Sequence, residues 1–476
     1  MPPTTRVPFL RKLHFNKLEG FGCIVIETCI RIKRALTDYK YIAMRKHAWI
    51  LVLLLGLAVL DSCKKDDEEE VPTTGILRGT ISDANDGTAL ADASIIVFDA
   101  DGNSPSGSIV KSDVDGNYST ELDPGSYFIK VYKQGYQSVP PRGITAVSFE
   151  VIVGDTVSNP VEMLPSETLG AGWISGTVAD AAGGVSGALV VATAGDEAYS
   201  SVTDNEGNYE IFNLPGGSFE VNAYKAAYTS SAAANATVNS QMETMGVDIT
   251  MTAGAGGSVL GQVQSLSIEN AEVDVALVHP ITRETIPGLT AMTSAGNYTL
   301  SDVPAGTYIA RASFRNDGRV MDPDNIAKFG EPVVTVNNDQ IEQPFAVTGA
   351  VTLNSPTNDA TTTIPLEIAS TTPTFNWAAY SSTSDYVIEV IDAASGEVVW
   401  GGFSGSGDAT TKNISIPSGT LSVTYNSDGN ASIASLTPGK VYRWRVYASK
   451  NSQQAATGWN LISVSEDQQG LIRIAN

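Results

Sequence analysis

The triplet Gly-Asn-Tyr occurs three times in this 476-residue chain, at 116–118, 207–209 and 296–298. The intervals are 91 and 89 residues. A period of that length means one module used three times, so each copy must close a core of its own. Every triplet is followed by a turn and an aromatic strand: Asp123-Pro124-Gly125-Ser126-Tyr127, Leu214-Pro215-Gly216-Gly217-Ser218-Phe219 and Val303-Pro304-Ala305-Gly306-Thr307-Tyr308. Every triplet is preceded by a glycine and a β-branched strand start, at Gly79-Thr80-Ile81, Gly176-Thr177-Val178 and Gly261-Gln262-Val263. Copies 1 and 2 share a later aromatic turn, Tyr132-Lys133-Gln134-Gly135-Tyr136 and Tyr224-Lys225-Ala226-Ala227-Tyr228. In copy 3 it has diverged to Phe314-Arg315-Asn316-Asp317-Gly318.

The local chemistry is all β. In Tyr127-Phe128-Ile129-Lys130-Val131, residues 127, 129 and 131 share one face and Lys130 lies on the other, the period of a half-buried strand. Proline and glycine supply the intervening turns. No convincing amphipathic helix is read after residue 75. This order of elements resembles carboxypeptidase regulatory-like domains, over 75–165, 170–253 and 256–348. The resemblance implies three seven-stranded, transthyretin-like β-sandwiches, close in shape to starch-binding-like folds.

The last quarter differs. Thr374-Phe375-Asn376-Trp377 and Tyr386-Val387-Ile388-Glu389-Val390 read as strands. Leu436-Thr437-Pro438-Gly439-Lys440-Val441-Tyr442 has the spacing of a tyrosine corner, whose hydroxyl bonds to upstream backbone. Tyr442, Trp444 and Val446 are expected inward, with Arg443 and Arg445 outward and paired across strands with Glu389. Residues 350–476 resemble a fibronectin type III-like sandwich. The whole is expected to be a tandem array of four β-sandwich domains behind a lipoprotein signal peptide.

That signal comes from the amino-terminal region. An apolar run, Ala48–Leu60, follows Arg45, Lys46 and His47. It is too short to span a membrane, which takes about 20 residues, and has the proportions of a secretory signal. Read from Met44, residues 44–62 form the signal, and 1–43 are an upstream extension from a start assigned too early. Leu60-Asp61-Ser62-Cys63 resembles the lipobox of bacterial lipoproteins, which implies cleavage before Cys63 and acylation of that residue. One chain holds a protein weakly and two or more hold it stably. Lys64, Lys65, Asp66, Asp67 and Glu68 resemble the acidic export signal of surface lipoproteins, within a tether over 63–74. The implied location is the outer face of the outer membrane, with the membrane as a partner through the lipid on Cys63.

Composition narrows the chemistry. The cysteines are Cys23, Cys29 and Cys63, so a chain beginning at Cys63 has no disulfide and no thiol-based zinc site. Residues 63–476 carry 19 Lys+Arg against 48 Asp+Glu, a net charge of −29. That excludes nucleic acid as a partner and argues against docking on anionic headgroups. One histidine remains, His279, with no nucleophile elbow, and it reads as structural. No catalytic residue and no cofactor is expected. Asp99 and Asp101, and Asp113 and Asp115, place oxygens at alternate positions and are weak calcium candidates. In copy 2 the second pair becomes Asp204 and Glu206, and in copy 3 Thr293 and Ala295, while Gly-Asn-Tyr persists. The shared element is therefore the turn. Two non-catalytic roles remain. One is binding of polysaccharide or another extracellular ligand on exposed aromatics, with Trp173, Trp400 and Trp459 as candidates. The other is a structural stalk, or a scaffold docking an outer-membrane protein, with no small ligand. Clustered aromatics favour the first and scattered ones the second.

Overall fold

A computed structural model describes residues 72–99, 109–140, 146–166, 171–230, 233–266, 273–293, 296–312, 318–358, 364–393 and 395–475. Residues 1–71, with Cys63 and the charged run behind it, lie outside the described residues, as does Asp101. The fold is all β.

The first sandwich pairs two sheets. One holds Gly75–Asp83, Asn117–Leu122, Thr156–Ser158 and Val161–Met163, and the other Ser94–Asp99, Ile109–Lys111, Gly125–Tyr132 and Ser148–Val151. The first strand is antiparallel to the Gly-Asn-Tyr strand and parallel to both last segments. The second and third sandwiches repeat this topology. Gly172–Asp180 and Gly257–Ser265 lie antiparallel to Asn208–Leu214 and Asn297–Val303, and parallel to the closing segments of their own copies.

One contact explains why two motifs 35 or so residues apart in each copy stay together. Gly79 faces Tyr118 across the strand pair, as Gly176 faces Tyr209 and Gly261 faces Tyr298. A backbone carbonyl between the two closing segments turns toward that glycine. A Cβ there would sit 2.1 Å from the Asn159 oxygen, 2.1 Å from that of Val247 and 2.2 Å from that of Gln343. The tyrosine hydroxyl donates to the same carbonyl at 2.6 Å in all three copies. Glycine makes the room, and tyrosine satisfies the acceptor that the kinked strand would otherwise leave buried. Burial holds these phenols well above their usual pKa.

The fourth sandwich sets Leu353–Ser355, Thr374–Trp377 and Ser422–Thr424 against a larger sheet that includes Asp385–Asp392, Val441–Asn451, Trp459–Val464 and Leu471–Ile474. Tyr442, Trp444 and Val446 point inward and are fully buried, as the alternation predicts. The Tyr442 hydroxyl accepts the Thr437 N–H at 3.0 Å, so the corner hydrogen bond is present.

One expectation is corrected. A helix does follow residue 75: α1, Pro323–Phe329, lies inside the third sandwich. Asp322 caps it by accepting the Asp324 N–H at 3.0 Å, with proline in the first turn. Its seven residues are too few to show amphipathic periodicity, so only the cap was readable. Sandwiches of the tandem array that are distant in sequence also touch. Leu164 of the first packs on Val441 and Leu471 of the fourth, and Arg473 reaches the Ala84 carbonyl at 3.4 Å.

Candidate functional site

The three tryptophans do not form a platform. Trp400 is only 2% exposed, packs against Phe375 and Tyr425, and donates its indole N–H to Asp428 at 2.8 Å. It lies in the core of the fourth sandwich because Val398–Gly401 pairs with the central strand Asp385–Asp392. Trp459 is 9% exposed. Phe403 stacks on it, and the ammonium groups of Lys328 and Lys412 each lie 4.8 Å from its ring. Its π-face is occupied by this chain's own cations. Trp173 is half-buried on a different sandwich, in Gly172–Asp180. Burial thus corrects Trp400 and Trp459 as ligand platforms, and Trp173 stands apart from both.

The aspartates of the Gly-Asn-Tyr turn hold the turn. Asp113 accepts the N–H groups of Asp115 and Asn117 at 2.9 and 2.8 Å, and Asp204 accepts those of Glu206 and Asn208 at 3.0 and 2.7 Å. The Asn117 N–H holds the Asp113 carboxyl below its usual pKa. Asp115 is exposed, and Asp99 ends the strand Ser94–Asp99 opposite Tyr127. Among the described residues no group of three or more His, Cys, Asp or Glu could hold a metal ion. His279 is buried, accepts N–H groups from Ile281 and Thr282, and meets the Tyr224 ring edge-on. The outward arginines pair differently from expectation. Arg445 reaches Asp467 at 2.8 Å and Arg443 reaches it at 3.4 Å. Glu389, opposite Arg445 in register, accepts the Tyr447 hydroxyl at 3.0 Å, and its charge also acts on both arginines.

What the structure brings together is the set of seams between sandwiches. At the first, Asn213 of copy 2 enters the aromatic turn of copy 1. Its side-chain oxygen accepts the Gly135 N–H at 2.7 Å, and its amide donates to the Tyr136 carbonyl at 2.7 Å. The Gln134 side chain accepts the Asn213 N–H at 2.9 Å and donates to the Ala171 carbonyl at 2.9 Å. At the second seam, the Asp302 carbonyl of copy 3 accepts the Ala227 N–H of the copy 2 turn at 2.8 Å. Gly135 and Ala227 hold the same place in their turns, both at positive φ.

Asn213 and Asp302 also hold the same place, five residues after the asparagine of Gly-Asn-Tyr, with φ of 62° and 55°. At each, the pairing with the first strand slips by a bulge. Copy 1 has one residue fewer there and pairs without a slip from Gly75 to Thr80, and among the described residues no sandwich precedes it. The extra residue is thus present in the two copies seen to dock on a predecessor and missing from the first. A bulge re-aims the backbone out of the sheet, and here it aims a polar group at the neighbouring turn.

Apolar packing joins the same three sandwiches. One cluster runs from Ile96, Phe98 and Tyr132 through Leu189, Val191 and Val202 to Val275, Tyr308 and Phe345. Lys130 does lie on the outer face of its strand, but that face is covered. It pairs there with Glu284 of copy 3 and lies 5.6 Å from the Phe98 ring. Burial pushes its ammonium down to about 8, and the adjoining carboxylate pulls the other way. The signal was available in Ser94–Phe98, Leu189–Ala192 and Val273–Val278, which are apolar almost without alternation, as strands buried on both faces are.

The third and fourth sandwiches meet through α1. Asp324 accepts the Leu461 N–H at 2.9 Å, and Lys328 donates to Asp324 at 3.0 Å and to the Trp459 carbonyl at 3.2 Å. Between the first and fourth lies a cavity of about 80 Å³, lined by Gln137, Glu162, Leu164, Pro365, Glu367 and Arg473.

Two segments, 76–155 and 173–252, match the family model of the carboxypeptidase regulatory-like domain. Copy 3 has the same strand order without that match. No curated protein matches the chain. Among solved structures, the Bacillus anthracis TIE protein is 14% identical, with a TM-score of 0.17, over 57% of this chain and 50% of that one. The chain therefore spans about half of that protein's length. BcpA, the major pilin subunit of Bacillus cereus, is 12% identical over 58% of this chain and 100% of that one, at 0.17. A leucine-rich repeat protein from Bacteroides thetaiotaomicron is 13% identical over 38% and 27%, at 0.21. Superposition at that level bears on neither fold nor function.

Proposed function

We propose that this chain is a non-catalytic cell-surface lipoprotein, anchored in the outer membrane through acylated Cys63, whose sandwiches form one rigid scaffold for docking a protein partner. Residues 64–68 serve as its export address. The fourth sandwich is read as fibronectin type III-like on its tyrosine corner. The observation that carries the scaffold reading is the occupancy of the aromatic faces. Trp400 and Trp459 are closed off by this chain's own side chains, while polar and apolar contacts fix each sandwich to the next. A sugar platform needs an exposed ring beside free polar groups, and of the three candidate tryptophans only Trp173 retains part of its surface.

Titration of the full chain against a broad set of polysaccharides tests the scaffold against the ligand-binding reading. No saturable binding is expected. Saturable binding abolished by Trp173→Ala would overturn the scaffold reading. The amino-terminal mass of protein isolated from membranes tests the anchor separately. A diacylated or triacylated Cys63 is expected, and an unmodified chain from Met1 would end that reading.

A further inference from the structure

Between the two closing segments the three copies carry different residues. The carbonyl that accepts the repeat tyrosine belongs to Asn159, Val247 and Gln343, so the next residue is Pro160, Asp248 and Pro344 in turn. In copy 2 that residue has a defined partner. The Asp248 carboxylate accepts both the backbone N–H and the hydroxyl of Thr177, at 2.9 and 2.8 Å. Thr177 follows Gly176 as Thr80 follows Gly79. Copy 1 therefore keeps the same two donors and has a proline in the place of their acceptor.

The Ile81 N–H donates to the Gly116 carbonyl at 2.8 Å, so alternation turns Thr80, opposite Asn117, away from that strand pair and toward the interruption. The Asn159 carbonyl, which would continue the parallel ladder, faces Gly79 and Tyr118 instead. Among the described residues no acceptor stands on the Thr80 N–H. Arg78, two residues earlier on the same outer face, is exposed and forms no ion pair among the described residues. These donors line an open groove of about 560 Å³, together with Asn117, Ser119 and Ser158. Asp113 lines it too, with its carboxyl committed to the turn N–H groups. Copy 2 carries Asp204 in that place and still seats Asp248, so this neighbour does not bar a carboxylate. Copy 2 has Ser175 for Arg78, and copy 3 has Leu260 for Arg78 and Gln262 for Thr80. Of the three, copy 1 alone offers N–H, hydroxyl and cation with the acceptor missing.

We infer that this groove on the first sandwich takes an aspartate side chain of a docked protein, held on Thr80 as Asp248 is held on Thr177, with Arg78 as an added cation. The inference rests on the scaffold reading above and says where a partner is gripped. Hydrogen bonds to an ionised acceptor are shorter and stronger than neutral ones, and a guanidinium beside them favours a carboxylate. Residues 63–476 carry a net charge of −29, so the fitting partner brings a single aspartate on an otherwise neutral or basic surface. Repulsion from charges farther than about 8 Å is screened at physiological salt.

The probe is the capped tripeptide Val-Asp-Ile, the sequence of residues 247–249, titrated against the full chain by ligand-observed NMR, with Val-Asn-Ile as control. Saturable binding of the first is expected, with the second weaker by about tenfold. Pro160→Asp fills the groove from within. It should abolish the binding and slow hydrogen exchange of the Thr80 N–H several-fold. Arg78→Gln, at an exposed position that leaves the fold intact, should weaken binding several-fold. Equal binding of both peptides, binding of neither, or binding untouched by Pro160→Asp would overturn the site. The scaffold reading would survive each of these, since it rests on the closed faces of Trp400 and Trp459. Saturable binding of a uronic acid oligomer, lost in Pro160→Asp, would overturn the protein partner and the scaffold reading together.

Discussion

The seams among the first three sandwiches and the seam between the third and fourth are built on different principles. The former join copies of one module, and the joint is part of the module: an aromatic turn on one copy and a bulged residue on the next. The latter joins unlike sandwiches, and it uses an added part, α1, whose Asp324 and Lys328 reach strand Trp459–Val464. The turn-and-bulge contacts of the first kind are neutral, with the ion pairs Lys111–Glu210 and Lys130–Glu284 beside them. The second is charged, with Lys328 on Asp324 and Asp467 among Arg445, Arg443 and Arg311. A repeated module can carry its own docking device, since each copy meets the same surface. A different partner needs a dedicated adapter.

The largest effect should come from the buried pair behind the repeat seams. Lys130→Met alone leaves Glu284 buried and unpaired, and should cost about 3–5 kcal/mol by calorimetry. Lys130→Met with Glu284→Leu should recover most of that loss. If the single change is silent, the outer face of the first sandwich is not held against copy 3. At the adapter, Lys328→Met removes the cation shared by Asp324 and Trp459, and should cost about 2–3 kcal/mol, with the loss confined to the transition of the fourth sandwich.

Deleting Asn213 should give copy 2 the unbulged pairing of copy 1. We expect sandwich 2 to stay folded and to uncouple from sandwich 1, so that a shared unfolding transition splits in two. A single transition at the original temperature would show that the bulge does not couple them. Tyr118→Phe leaves the Asn159 carbonyl without its hydroxyl donor and should cost about 1–2 kcal/mol in chemical denaturation.

The smallest effect is that of pH. Burial raises the pKa of the Asp467 carboxyl, but Arg445, Arg443 and Arg311 outweigh it and hold the group below its usual value. A carboxyl with a depressed folded pKa adds stability above its unfolded pKa of about 4 and loses it as pH falls through the folded value. Acidification from pH 5 to 3 should therefore loosen the seam with the fourth sandwich while the Asn213 seam holds. Hydrogen exchange at Leu461 and at Gly135 reads the two separately.

Much of this was readable along the chain. The Gly-Asn-Tyr period set the number of like modules. The alternation in Tyr127–Val131 and Tyr442–Val446 set which side chains face inward. The glycine before each triplet was legible as a strand start, but not the close approach of a carbonyl that it permits. Lys130 was placed on the right face, but a period of two cannot say whether the second face meets water or another sandwich. Trp400 and Trp459 were misjudged for a related reason: each lies on a strand of a local hairpin, but the side chains that cover its ring, Phe375 on Trp400 and Lys328 and Phe403 on Trp459 among them, are distant in sequence. The one-residue insertion at Asn213 and Asp302 was visible as a spacing, yet its meaning depended on a turn some 75 residues upstream. Asp322-Pro323-Asp324 was a legible helix start of a helix too short to show a period.

The sequence by itself determined the module, its repetition and its strands, because turn chemistry and side-chain alternation act over a few residues. Only the tertiary structure decided the seams, the closed faces of Trp400 and Trp459, and the partner of Lys130. Those depend on which surfaces of separately closed cores meet, and no local periodicity records that.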